Sequence, residues 1–210
     1  MPTRKYNLET RQRKQADLKD RIAAATADLH ASRGVTATSY ADIARLSGVS
    51  LPTVHSHFPT LDELLQGCTA HVAASAPALP VEKILEAGEL AVGAKLLVAA
   101  VAQQHLHFEP WLAWRENGLV PFLADMSDGI RQQQSELVAR LLEHHLGPGK
   151  RREMIAGCES LISFDFWHRL VRGHGLPPAA ARRVIYKCLL ANIGLPPASS
   201  PTSSPRRKTE

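Results

Sequence analysis

Ten histidines, three cysteines and a Gly-Pro-Gly-Lys run are the residues of this chain whose types suggest chemistry. The histidines include three close pairs, His55/His57, His105/His107 and His144/His145. Near neighbours on a helix point apart, so none of these pairs alone chelates a metal. Spacing nominates no site assembled across helices, and no metal is expected. The run at 147–150 lacks the leading glycine of a phosphate-binding loop, and Arg151 stands where Ser or Thr would be needed. There is no His-Glu-x-x-His, and no Gly-x-Gly-x-x-Gly after a strand. Cys68, Cys158 and Cys188 are odd in number, lack CxxC spacing and fall at apolar helical positions. Buried, reduced thiols of a cytoplasmic protein are expected, with a redox sensor as the alternative. The failed motifs argue against an enzyme and against a cofactor.

A different chemistry is available between Ser50 and Phe58. Leu51, Pro52, Thr53, His55, Ser56 and His57 would form a small, polar outer face if Val54 and Phe58, four apart, anchor a helix inward. Such a face fits a DNA major groove, where small side chains reach base edges and Ser, Thr or His donates to phosphate. The elements around it must hold it there. Ser39 is a good N-cap, and Asp42 completes a weak capping box for a short helix with Ile43 and Leu46 on one side. Gly48 can take positive φ and turn the chain. Ser50 can cap the next helix, with Pro52 tolerated in its first turn. Pro59 ends it, and Thr60 with Glu63 caps a third helix with apolar face Leu61, Leu64, Leu65, Cys68 and Val72. Two short helices joined through glycine describe a helix-turn-helix. A plain helical hairpin in an all-α core, with His55 and His57 as surface residues, shares the same turn chemistry.

Residues 18–65 resemble the N-terminal domain of tetracycline-repressor (TetR) family regulators. The resemblance lies in Arg21-Ile22, Ala24-Ala25, Leu29, Arg33-Gly34, Thr38-Ser39, Asp42-Ile43-Ala44, Gly48-Val49-Ser50, Pro52-Thr53-Val54, His57-Phe58-Pro59 and Leu64-Leu65. It implies that the first helix supports the pair, the third reads the groove, and C-terminal helices dimerise and enclose a ligand. Two positions depart from the pattern. His55 stands where the family usually has Tyr, and Leu61 where it usually has Lys. Both positions commonly touch phosphate in the family, so weaker anchoring is expected, offset by the basic segment upstream.

Composition agrees. The 210 residues are 44% hydrophobic, 21% charged and 5% aromatic, ordinary for a globular chain of one or two domains. Net charge is +5, which favours a polyanionic partner. Before Ala23, seven Lys or Arg face three acids, leaving +4 beside the helix-turn-helix. The N-terminus does not read as a signal peptide, and no apolar run reaches the ~18 residues of a membrane span.

Residues 1–14 lack apolar periodicity and read as a flexible tail or a phosphate-following arm. Leu18, Ile22, Ala25 and Leu29 mark a helix over 15–33, with His30 packed in the core. Helices are expected at 81–108, weakened at Gly88 and Gly93 and ended by Pro110, then at 130–146, 150–172 and 179–193. Trp111, Trp114 and Phe122 gather around a break at Pro121. They form either solid core or the wall of a ligand cavity, with His105, His107, Arg115 and Glu116 as its polar groups. Residues 195–210 are Pro/Ser-rich and read as a second flexible tail.

The expectation is an all-α regulator. Residues 15–65 form a helix-turn-helix domain and 66–194 a helical regulatory and dimerisation domain. DNA contacts are expected from Ser39, Tyr40, Ser50, Leu51, Pro52, Thr53, His55 and His57. A small apolar or amphipathic ligand would meet His105, Phe108, Trp111, Trp114, Phe122, Met126 and Phe164. The partner is double-stranded DNA with a near-palindromic operator, bound by a homodimer joined through the last two long helices. Regulation by ligand follows from the resemblance alone. A DNA-binding protein without effector and a helical enzyme or scaffold are the competing readings.

Overall fold

The computed structural model describes residues 3–149 and 151–196, and every regular element among them is helical. The elements run α1 (Thr3–Arg33), α2 (Tyr40–Ser47), α3 (Leu51–His57), α4 (Leu61–Ala74), α5 (Val81–Leu85), α6 (Leu90–Leu112), α7 (Pro121–Leu146), α8 (Arg152–Ile162), α9 (Phe164–His168) and α10 (Pro178–Asn192). A short 3-10 turn covers Glu116–Gly118, and a π-helical turn covers Arg169–Gly173.

The chain divides into two compact units. Among the described residues, the first holds 3–78 and 104–130, the second 79–103, 131–149 and 151–196. The boundary expected at 65/66 falls inside α4, so helix continuity carries the first unit further than composition suggests.

In the first unit α1 packs on α2 and α4, and α2 packs on α3. Ile22, Ile43, Val54, Phe58 and Leu64 meet at its centre. Burying each such side chain is worth about 1.5–3 kcal/mol, enough to fix helices too short to stand alone. A second cluster joins Ala27, Leu65, Cys68, Val72 and Val120 to Phe108, Trp111 and Phe122. The core of the second unit gathers Leu97, Val101, Leu141, Ile162, Trp167, Ile185 and Leu189.

Five sequence expectations are corrected. Residues 3–14 are helical, not a structureless tail: α1 begins at Thr3, because Arg, Lys, Gln, Leu and Glu favour helix without an apolar face. Pro110 lies inside α6, two residues before its end, rather than closing it, and its missing N–H leaves the Leu106 carbonyl without that helical donor. α7 starts at Pro121, a residue preset for a first turn, not near 130. The helix expected over 150–172 breaks at Ser163, whose backbone is extended and whose hydroxyl accepts from the Phe166 N–H. Leu46 and Leu61, placed inward by periodicity, are 52% and 43% exposed. The tail residues 197–210 and Met1-Pro2 lie outside the described residues.

Gly93 shows how tightly the second unit is packed. A Cβ there would sit 2.8 Å from the Ile84 carbonyl oxygen and 2.8 Å from Leu141 Cδ1. Gly93→Ala is expected to lower stability by about 1–3 kcal/mol through overpacking, despite alanine's better helix propensity. Urea unfolding checks this through a lower midpoint at unchanged slope.

Candidate nucleic-acid interface

The first turn of α2 is capped from both directions. The Ser39 hydroxyl accepts from the Asp42 N–H at 3.2 Å, and the Asp42 carboxylate accepts from the Ser39 N–H at 3.4 Å and its hydroxyl at 2.7 Å. The box expected to be weak is therefore complete. Asp42 also pairs with Arg33 at 2.8 Å, tying α2 back to α1, and with Arg45 of its own helix. The Ser39 hydroxyl, then the two guanidiniums, hold the Asp42 carboxyl below the usual range. Gly48 ends α2 with φ 66° and donates back to the Ala44 and Arg45 carbonyls. This left-handed turn swings the chain into α3 at no steric cost.

Ser50 then caps α3, its hydroxyl accepting from the Thr53 N–H at 3.2 Å. It also shares a 2.7 Å hydrogen bond with the Thr53 hydroxyl. Val54 is 0% exposed and Phe58 is buried, so the anchors expected from their spacing are in place. Leu51, Pro52, His55 and Ser56 are exposed, and Thr53 is half-buried. The hydroxyl of Thr53 is spent on the cap, which leaves its methyl for apolar contact. Tyr40 of α2 stacks flat on His55, centroids 4.4 Å apart and planes within 5°. The stack locks the imidazole of α3 to α2. Burial, and then the Glu63 charge, push the Tyr40 phenol up.

His57 stands apart from the other nominated contacts. It lines a groove with Lys19, Asp20, Gly67 and His71 of α1 and α4. There the His71 Nδ1 lies 2.9 Å from the Asp20 carboxylate, and the Lys19 ammonium sits 5.2 Å over the Phe58 ring. Arg11, Arg13, Lys14 and Arg21 line α1 with exposed cations.

Residues 22–68 match the family of bacterial regulatory proteins described as tetR. These residues form a TetR-family DNA-binding domain. The chain is thus a DNA-binding transcriptional regulator. Its fold is similar to the crystal structure of a transcriptional regulator from Rhodococcus sp. Rha1, at 17% identity and TM-score 0.64 over 84% of this chain and 96% of that one. No curated protein matches the chain.

The residues nominated for a ligand lie in both units. Phe108, Trp111 and Phe122 pack into the second cluster of the first unit. The Trp111 indole N–H donates to the Ala27 carbonyl at 2.8 Å, and the Trp114 N–H to the Ala31 carbonyl at 3.1 Å. Trp114 itself is largely exposed. His105 is buried, and Met126 is half-buried. Phe164 packs against the core of the second unit. One ring nitrogen of His107 lies 3.0 Å from the Val72 carbonyl oxygen. Among the described residues no group of three His, Cys, Asp or Glu could hold a metal, and no helix is long and apolar enough to cross a membrane.

Glu116 has a role the sequence did not suggest. Its carboxylate accepts from the Val35 N–H at 2.6 Å, the Thr36 N–H at 2.9 Å and the Thr36 hydroxyl at 2.6 Å. It is 7% exposed. Burial alone would raise its pKa, but the Thr36 and Val35 hydrogen bonds outweigh that, and the net direction is down. No local pattern signals a bond between residues about eighty positions apart.

His30 lies beside Cys68, Nδ1 to Sγ 3.6 Å. Burial pushes the Cys68 thiol up to about 12, so it stays neutral and makes a poor redox sensor. Burial, resisted by the Glu116 charge and helped by Arg33, lowers the His30 pKa to about 4. A depressed folded pKa means stability that is present above the unfolded value and lost as pH falls through the folded one. Unfolding free energy is expected to drop by about 3 kcal/mol between pH 6.5 and 4 from this group. Urea midpoints across that window check it, and His30→Leu is expected to flatten the slope.

Proposed function

We propose that this TetR-family regulator binds a near-palindromic operator as a homodimer, and acts as a repressor released by a small apolar or amphipathic ligand. One observation carries the DNA-reading part: α3 buries Val54 and Phe58 and turns Leu51, Pro52, His55 and Ser56 to solvent. Pro52 and the Thr53 methyl would meet base edges, and thymine methyl groups in particular. Ser39 and His55 would contact phosphate or flanking bases, with Ser50 and Leu51 at the entry of the reading helix; Tyr40, whose hydroxyl is buried, would act by holding the His55 ring in place. His57, at the rim of the α1–α4 groove, would reach only the flank. Cations along α1 would add sequence-independent attraction.

Support for the homodimer comes from α8 and α10. They leave Met154, Ile155, Val184 and Cys188 half-buried, and two such helices from each chain would make a four-helix interface. Half-sites would then lie one helical turn, ~34 Å, or a multiple apart. Ligand release would be a population shift to a conformation whose reading helices no longer match that spacing. A second reading, a regulator without small-molecule effector, draws support from Trp111 and Trp114, whose indole N–H groups are committed to α1.

Selection of duplexes from a randomised pool, followed by gel shift, tests the reading. Thr53→Ala is expected to lower preference for the selected duplex over random DNA about tenfold. Removing residues 1–14 is expected to weaken selected and random duplexes alike and to flatten the salt slope by about 0.9 per lost phosphate contact. A selective loss on removal of those residues contradicts the phosphate role. Thermal shifts with a compound library separate the two regulatory readings: a stabilising compound that also releases DNA supports the ligand-responsive one.

A further inference from the structure

The turn between α1 and α2 sets where the helix-turn-helix begins, and it is built around a side chain from far along the chain. α1 ends at Arg33, and Gly34 follows with φ +83°. The next two N–H groups, of Val35 and Thr36, point at the Glu116 carboxylate, joined by the Thr36 hydroxyl. The carboxylate sits so close that a Cβ on Gly34 would lie 2.8 Å from Glu116 Oε1. Gly34 is thus required twice, by its backbone angle and by the carboxylate above it. From the same turn the Thr38 hydroxyl donates to the Gly34 carbonyl at 2.7 Å, one residue before the Ser39 cap.

The other side of the contact is equally constrained. Arg115 has φ 56°, the positive-φ non-glycine residue among those described. A side chain in that region carries strain of about 1–3 kcal/mol and persists only where surrounding contacts impose it. Here it delivers Glu116 to the turn. Just before it, the Trp114 indole donates to the Ala31 carbonyl, one of the last-turn acceptors of α1 that has no helical partner in reach. Trp111 donates one turn earlier, to Ala27. Residues 111–116 thus hold α1 at Ala27 and Ala31, and the turn after it at Val35 and Thr36.

We propose that Glu116 is a positioning residue for DNA binding: its carboxylate organises the α1–α2 turn so that α2 and α3 are presented in the geometry that reads a duplex. Glu116 touches no base or phosphate in this account. It acts through Val35 and Thr36, then Ser39, and so on α2. The proposal rests on the DNA-reading function given above.

The test uses the full chain and a duplex enriched by the wild-type protein from a randomised pool. Glu116→Gln keeps the shape but replaces a carboxylate that accepts three bonds with an amide that has one acceptor. Binding is measured well below the melting temperature, where the variant is folded. The expected result is about tenfold weaker binding at an unchanged salt slope, because no phosphate contact is removed. Faster amide exchange at Val35 and Thr36 is expected alongside. A merely structural role would lower the melting temperature and leave the affinity of the folded variant as in wild type, and that result overturns the proposal. Thr36→Val removes only the hydroxyl bond. It is expected to give a smaller loss in the same direction, not additive with Glu116→Gln. If Glu116→Gln does not fold, Thr36→Val decides the matter: a folded Thr36→Val protein with wild-type affinity overturns the proposal. Failure of the wild-type protein to enrich any duplex removes the DNA-reading function, and the proposal with it.

Discussion

A helix of seven residues does not hold itself together in water, and α3 is that short. Its existence depends on two side chains, Val54 and Phe58, sunk against Ile22, Ile43 and Leu64. Because these anchors are four residues apart, their burial also decides which residues face out. Exposure of Pro52 and His55 is therefore a consequence of packing, not of their own chemistry. Caps at Ser39 and Ser50 and the left-handed Gly48 fix the entry and exit of each short helix. Reading surface and core are two sides of one constraint.

The parts that were legible in the sequence are those decided within a few residues. The Ser39–Asp42 box, the Gly48 turn, the Ser50 cap and the Val54/Phe58 pair are local patterns with local causes. Leu46 and Leu61 are exposed against their periodicity, because periodicity says which residues share a side and not whether a neighbour covers that side. The start of α1 has no apolar repeat to mark it, because its first turns follow helix propensity. Ser163 sits amid apolar residues at helical spacing, yet its hydroxyl competes for a backbone N–H and starts a new element.

The aromatic segment teaches the opposite lesson. Composition groups Trp111, Trp114 and Glu116 but does not reveal where their polar atoms go. Two indole N–H groups and one carboxylate reach backbone groups of α1 and the turn after it. The Trp114 bond answers a carbonyl that the end of α1 leaves unpaired, and the carboxylate answers two N–H groups of the turn; sequence spacing displays neither. Neighbouring His30 and Cys68 are held neutral by burial, so the charge beside them belongs to Glu116 and Arg33.

Base-methylation protection of a selected duplex tests most directly that the outer side of α3 meets DNA in the major groove. Two protected major-groove patches are expected on one face of the duplex, centred ~34 Å or a multiple apart and lost together when Val54 and Phe58 no longer anchor the helix. A single patch, or protection confined to the minor groove, would contradict it.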